Sequence, residues 1–254
     1  MSTTSPDPVA YLDRVAASDA ARAYKRPLLA ALDVRPGHVV LDVGCGPGTD
    51  LADLADLVTS TGRVVGVDVN PAMVATASER LAGHPHVEVR PGDAHDLPLD
   101  DGGTDRARAD RVVMHLAEPA RAMAELRRVL RRGGRLALAE SDFDTLAIDD
   151  TDLATSRGYA RFLADLFIRN GTVGRQLARL ATDAGFVVRE AGATTPVLRD
   201  FGTADALLGL RRNVPAAVAA GYLDADAAAD WLDRLAAGPF LCAFSVFTLV
   251  AEAG

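Results

Sequence analysis

Most of the chemistry this chain could perform is concentrated in one short stretch, Asp42-Val43-Gly44-Cys45-Gly46-Pro47-Gly48. Glycine at every second position lets the backbone turn sharply and lets a ligand approach where a Cβ would collide. An apolar, β-branched run, HVVLDVG (38–44), precedes the loop, and TDLADLADLV (49–58) follows with its leucines on one helical face. A strand, a glycine loop and a helix in that order bind ligands beyond the carboxyl end of the strand. A dinucleotide fingerprint needs Gly or Ala at the sixth position from Gly44, and the chain has Thr49 there. A nicotinamide cofactor is therefore disfavoured.

Other reactive side chains are few. Cys45 lies between two glycines with no histidine nearby in sequence, a poor setting for a nucleophile, and Cys242 reads as core. Two cysteines so far apart form neither a disulfide framework nor a zinc site. Lys25 is the only lysine, so a Schiff base or a phosphate-gripping lysine is excluded unless Lys25 serves. His38, His84, His86 and His95 fall at strand or loop ends, where solvated roles dominate. His115 ends the segment ADRVVMHL (109–116) beyond a strand, and histidine titrates near neutral pH.

The surrounding elements alternate. Strands are expected at 38–44, 63–69, 86–92 and 135–141, with a weaker one within 104–113. Helices are expected at 49–58, from Pro71 behind an Asn70 cap, and over 118–134, closed by Gly133-Gly134. Residues 9–33 read as helix broken by Pro27. After residue 141 the pattern changes: 151–184 and 203–236 look helical, with strands at 186–192 and 240–253. Alternating strands and helices imply an α/β fold, a parallel sheet with helices on both faces. The helices of 142–170 and 203–236 are expected to cover one end of it.

At 254 residues, 49% of them hydrophobic, the chain suits one large domain with a packed core. The formal net charge of −8 argues against nucleic acid as the main partner. The first residues, MSTTSPDPVAYLDR, lack the basic start and apolar run of a signal peptide, and no stretch approaches membrane-spanning length. A cytoplasmic protein with no membrane partner is expected.

Four motifs in order carry a resemblance. VLDVGCGPGTD (40–50), GVDVNPAMVATA (66–77), GDAHDLPL (92–99) and RVVMHLAEPARAMAELRRVLRRGGRLALAE (111–140) resemble the class I S-adenosylmethionine-dependent methyltransferases, especially the ubiquinone and menaquinone methyltransferase group. The resemblance spans residues 25–142 well and the rest loosely. It implies a Rossmann-like, doubly wound, seven-stranded sheet in a single domain: N-terminal helices (1–36), a cofactor-binding core (37–141), helical cap segments (142–170 and 200–238) and a closing strand (239–254). The implied cofactor is S-adenosyl-L-methionine. Asp42, with Gly44, Cys45 and Gly46, is expected at its aminoacyl end, although Asp42 could equally cap the loop. Asp68 would bind the ribose hydroxyls, or cap a helix. Gly92, Asp93 and Ala94 would edge the adenine, with Val69 and Met73 against its faces, and Met73 reads equally well as core. Tyr24 and Tyr11 would close over the cofactor. Ala109 and Asp110 complete the cofactor contacts, Arg111 would touch cofactor or substrate, and Asp142 would face the acceptor. His115 is the candidate general base, against an equally weighted structural role. The acidic cluster of a magnesium-dependent catechol methyltransferase is missing, so no metal is expected.

The implied activity is methyl transfer to a small molecule, O- or N-methylation ahead of C-methylation, with natural-product tailoring as a setting and a homodimer left open. The alternative is a protein that binds the cofactor without methyl transfer, as a regulatory module or a cyclase. A nicotinamide-dependent oxidoreductase ranks below both. The acceptor should be selected by residues 1–25, 142–170 and 195–238.

Overall fold

A computed structural model describes residues 7–254. The first six residues, on which the signal-peptide expectation and part of the expected acceptor-selecting segment 1–25 fall, lie outside the described residues. Eight strands form one sheet: β1 (Val39–Val43), β2 (Arg63–Asp68), β3 (Val87–Pro91), β4 (Thr104–Asp110), β5 (Leu130–Ile148), β6 (Phe186–Thr194), the two-residue β7 (Val197–Leu198) and β8 (Cys242–Ala253). Their order is β3-β2-β1-β4-β5-β8-β6, with β7 on β8, and only β8 runs antiparallel to its neighbours. The sheet thus has one short strand more than the seven expected. The winding reverses at β1, which pairs in parallel with β2 on one side and β4 on the other. A crevice opens there beyond the strand tips.

Side chains that alternate between the two faces of the sheet, both of them buried, explain the layers. Leu41, Val43, Val65 and Val67 face α5 (Pro119–Val129) and α7 (Leu177–Asp183), which bury Met123, Leu126 and Leu180 against them. Val40 and Val64 face the other way, onto α3 (Leu51–Val58) and α4 (Pro71–Arg80). A third apolar cluster joins α2 (Asp19–Leu32), α6 (Leu153–Phe162), α8 (Phe201–Leu208), α9 (Leu210–Ala219) and α10 (Ala225–Ala237) to the far ends of β5 and β8. Its centre is Trp231, fully buried beside Tyr159, with ring centroids 5.5 Å apart; the Trp231 indole N–H donates to Ser156 Oγ at 3.0 Å.

Three local expectations are corrected. Pro27 does not break the N-terminal helix: the break falls at Ala17-Ser18, after α1 (Pro8–Ala16), and the Ser18 hydroxyl caps α2 by accepting from Ala21 N. Pro27 is tolerated because it lies on the exposed side of α2, where water can serve the carbonyl it leaves unbonded. α5 stops at Val129, not at Gly133-Gly134, because Leu130 turns extended, pairs with Thr104 and is buried in the core. The glycines instead sit where the β4–β5 register shifts, Gly133 at φ +74°. Finally, residues 142–148 are not helical. They prolong β5, paired with Cys242–Ser245 of β8, and bury Leu146 and Ile148 under the cap.

Trp231→Ala is expected to lower the unfolding free energy by about 3–5 kcal/mol, the usual cost of removing a large buried aromatic. Urea denaturation followed by circular dichroism measures it; a loss under about 1 kcal/mol, typical of a surface change, would mean the cap adds little to folding.

Candidate active site

A cavity of about 800 Å³ lies over the tips of β1, β2 and β4 and under α1, α2 and α8. The glycine loop makes one wall. Gly44 has φ +65°, and a Cβ there would stand 2.4 Å from Val112 Cγ2, so no side chain fits. Gly48 (φ +81°) lies so near α4 that a Cβ would meet Ala77 and Leu81 at 3.1 Å. The Gly44 and Cys45 amides both donate to Val67 O, locking the loop onto β2. Asp68, at the tip of β2, is braced from two sides: Gly46 N donates to Oδ2 and Asn70 N to Oδ1, each at 2.8 Å. Asn70, not Asp68, caps α4, its Oδ1 accepting from Ala72 N.

Beyond Asp68 the wall turns apolar. Val69 is 71% exposed and Met73 is 7% exposed, so Met73 is both core and wall. Gly92, Asp93 and Ala94 follow on the same side. Asp93 Oδ1 accepts from the amide and the Nδ1 of His95, which holds its carboxyl below the ordinary range. Cys45 also borders the cavity, but burial drives its thiol well above the ordinary value, as an unreactive cysteine requires. Ala109 is apart from this group: its side chain packs in the core beneath the sheet and does not reach the cavity.

The floor is ionic. Arg108 of β4 is buried, and its guanidinium lies 3.5 Å from Asp42 of β1, 2.8 Å from Asp50 before α3 and 3.3 Å from Asp110. Lys25 of α2 adds contacts at 2.6 Å to Asp50 and 3.3 Å to Asp110, and the Tyr24 hydroxyl donates to Asp110 Oδ1 at 2.9 Å. Burial raises the Asp42 carboxyl to about 6, although Arg108 and Lys25 pull the other way. Burial alone would also raise Asp50, but Arg108 and Lys25 outweigh it and hold it low. Lys25, Asp50 and Arg108 were not among the expected cofactor residues. Their signals were the lone lysine and the alternation of Arg106 and Arg108 with alanines inside a buried strand.

A turn of 3₁₀ helix, Val113–His115, forms the wall toward the cap. Glu140 of β5, fully buried, grips this turn: Val112 N and Val113 N donate to Oε1 at 2.8 and 2.6 Å, and Met114 N to Oε2 at 3.3 Å. Asn170 Nδ2 donates to the carbonyls of Val113 and Leu116 from the other side. His115 thus reaches the cavity from a turn held at both its amides and its carbonyls. Burial and the neighbouring Arg111 charge push its pKa below the ordinary value. Arg111 itself has φ +58°, and its buried Nε has no hydrogen-bond partner. Asp142 does not face the cavity. It bonds Arg175 on the opposite face of β5, while its neighbours Ser141 and Phe143 line the chamber. Tyr11 donates to Leu207 O at 3.4 Å, tying α1 to α8 across the cavity mouth.

These residues fit S-adenosylmethionine. The wall at Gly44 leaves room a Cβ would fill, Asp68 is an acceptor pair suited to a ribose diol, and the mixed charges of the floor match an aminoacyl zwitterion.

A family model described as a methyltransferase domain matches residues 41–138. The chain is 55% identical over 248 residues to an uncharacterized 37.1 kDa protein in transposon TN4556 of Streptomyces fradiae, a match covering 98% of this chain and 72% of that one. It is 38% identical over 136 residues to the methyltransferase GfsG of Streptomyces halstedii, covering 53% of this chain and 48% of that protein. The matching stretches span about half the length of the curated methyltransferases. Among solved structures, a putative methyltransferase from Bacillus halodurans C-125 shares the fold with a TM-score of 0.68 at 18% identity, over 91% of this chain and 99% of that one.

Glu140 generates a pH prediction. Burial pushes its carboxyl up to about 8 against an ordinary 4.5, despite the three amides. Below 4.5 folded and unfolded chains are both protonated there and the stabilisation is complete; it fades as pH rises and is gone above about 8. Glu140→Gln should therefore remove part of the fall in urea midpoint across this window; identical pH dependence in both proteins would contradict the assignment.

Proposed function

The chain belongs to the class I S-adenosylmethionine-dependent methyltransferases, and we propose that it methylates an oxygen or nitrogen of a small acceptor, with His115 as the base. The observation that carries this reading is the single cavity joining the glycine loop to a chamber under the cap, with His115 on its wall between them. The cofactor supplies a sulfonium methyl, an electrophile with a good leaving group. What remains for the protein is alignment and proton removal. Asp68 and the glycine loop would fix the nucleoside, and Asp42, Lys25 and Arg108 the aminoacyl end. The grip of Glu140 and Asn170 on the turn keeps His115 aimed into the chamber. With its pKa below the ordinary value, the imidazole is neutral at pH 7 and can take the acceptor proton through a ring nitrogen.

Phe143 of β5, Phe244 of β8 and Leu163 after α6 line the chamber under the cap, side chains that exclude water and suit an apolar acceptor body. Methyl transfer, rather than cofactor binding alone, is read out by S-adenosylhomocysteine formation.

On an identified acceptor, His115→Ala should lower kcat by about 10²–10⁴-fold, the range of general-base catalysis, with S-adenosylhomocysteine binding unchanged. Wild-type kcat should rise with pH through a midpoint below the ordinary histidine value of 6.5. Unchanged turnover in the variant would assign His115 a structural role.

A further inference from the structure

The ionisable groups on the cavity wall are sorted by sign. Its acids, Asp42, Asp50, Asp68, Asp93 and Asp110, all belong to the strand tips and loops of the cofactor half. Each has a partner: the first two and Asp110 in the floor cluster, Asp68 on the Gly46 and Asn70 amides, Asp93 on His95. Toward the cap the wall is formed by apolar side chains such as Phe143, Leu163, Ile168, Leu207 and Phe244, and it carries no carboxylate among the described residues.

The charged groups that do face this half are basic. Arg212, on α9, borders the cavity and lies within 4 Å of no acid among the described residues; its Nε donates only to the neighbouring Asn213 Oδ1, at 3.3 Å. Its guanidinium is folded back over Gly209, where a Cβ would stand 2.8 Å from its terminal nitrogen. Arg111 faces the same space. Its nearest acid, Asp110, is 3.6 Å away and already engaged by Tyr24, Lys25 and Arg108, and the buried Arg111 Nε has no hydrogen-bond partner. His115 is the third basic group. In a protein of net charge −8, a chamber with one arginine whose buried Nε is short of a partner, a second arginine exposed at its edge without an acid, and no carboxylate among the described residues is suited to a negative ligand. A buried, unsatisfied guanidinium N–H is costly to leave unmade, and an oxyanion would satisfy it.

We propose that the acceptor is an oxyanion on an apolar body, an aromatic or alicyclic carboxylic acid or an acidic phenol or enol, held by Arg212 and Arg111. The proposal rests on the methyltransferase reading and narrows its acceptor. The apolar surfaces toward the cap take the body, and the two guanidiniums hold the anionic oxygen so that a neighbouring hydroxyl or amine, the group that is methylated, points its proton toward His115.

The test uses the full chain loaded with S-adenosylhomocysteine and a panel of aromatic and alicyclic carboxylic acids, each paired with its neutral carboxamide. Binding is read by ligand-observed NMR, with Kd for the hits from calorimetry. Acids should bind about 10–100-fold more tightly than their amides, the range a hydrogen bond to a charged group gives. Arg212→Gln should reduce that preference and leave the S-adenosylhomocysteine affinity as it was, which also reports that the variant is folded. Arg111→Gln should act in the same direction. Amides binding as well as acids, no acid binding at all, or an unchanged preference in both variants would overturn the proposal. Failure of S-adenosylhomocysteine to bind the wild-type chain would instead overturn the methyltransferase reading beneath it.

Discussion

The architecture around the cavity depends on one buried guanidinium. Arg108 can stay charged inside the sheet only because Asp42, Asp50 and Asp110 surround it, and their contacts hold it well charged against the cost of burial. Such clusters give little net stability, because desolvation cancels much of the attraction. What they fix is geometry. The partners come from β1, the start of α3 and the end of β4, and Lys25 and Tyr24 bring in α2, so four elements are pinned at the point where the strand order reverses. Removing one member would strand a buried charge, which is why the group acts as a unit.

The cofactor half and the acceptor half are joined by the turn after β4. Arg111 leaves the strand in a left-handed conformation, and the chain then passes under Glu140 and Asn170. Glu140 spends both oxygens on backbone amides, a helix-cap function performed by a residue from the next strand. His115 is therefore positioned by β5, and β5 itself is extended by β8 to carry the cap. The ionic floor, the turn that carries His115 and the apolar roof are thus consecutive consequences of the β1-β4-β5-β8 order.

Much of this was legible in local sequence. The Gly44 and Gly48 conformations, the Asn70 cap and the apolar strand runs in 38–44 and 63–69 each depend on a few adjacent residues, and the structure has them where the sequence puts them. The extension of β5 was not legible, because residues 142–148 become strand through pairing with residues about a hundred positions later, on β8. The floor cluster was hidden for the same reason: Lys25, Asp50 and Arg108 meet only in three dimensions. Asp142 was misplaced by one residue of strand period, which turned it to the face of Arg175 and left Ser141 and Phe143 in the chamber. The buried acid at the end of RLALAES was the readable sign of Glu140, since a fully buried carboxyl needs several donors.

Calorimetric titration of the wild-type chain and of Asp68→Ala with S-adenosylhomocysteine bears most directly on the cofactor site. If the ribose hydroxyls donate two charge-assisted hydrogen bonds to Asp68, the variant, with an unchanged circular dichroism spectrum, binds about a hundredfold more weakly or not at all. Equal affinity in the two proteins would put the nucleoside elsewhere, and the absence of binding to the folded wild type would contradict the site as a whole.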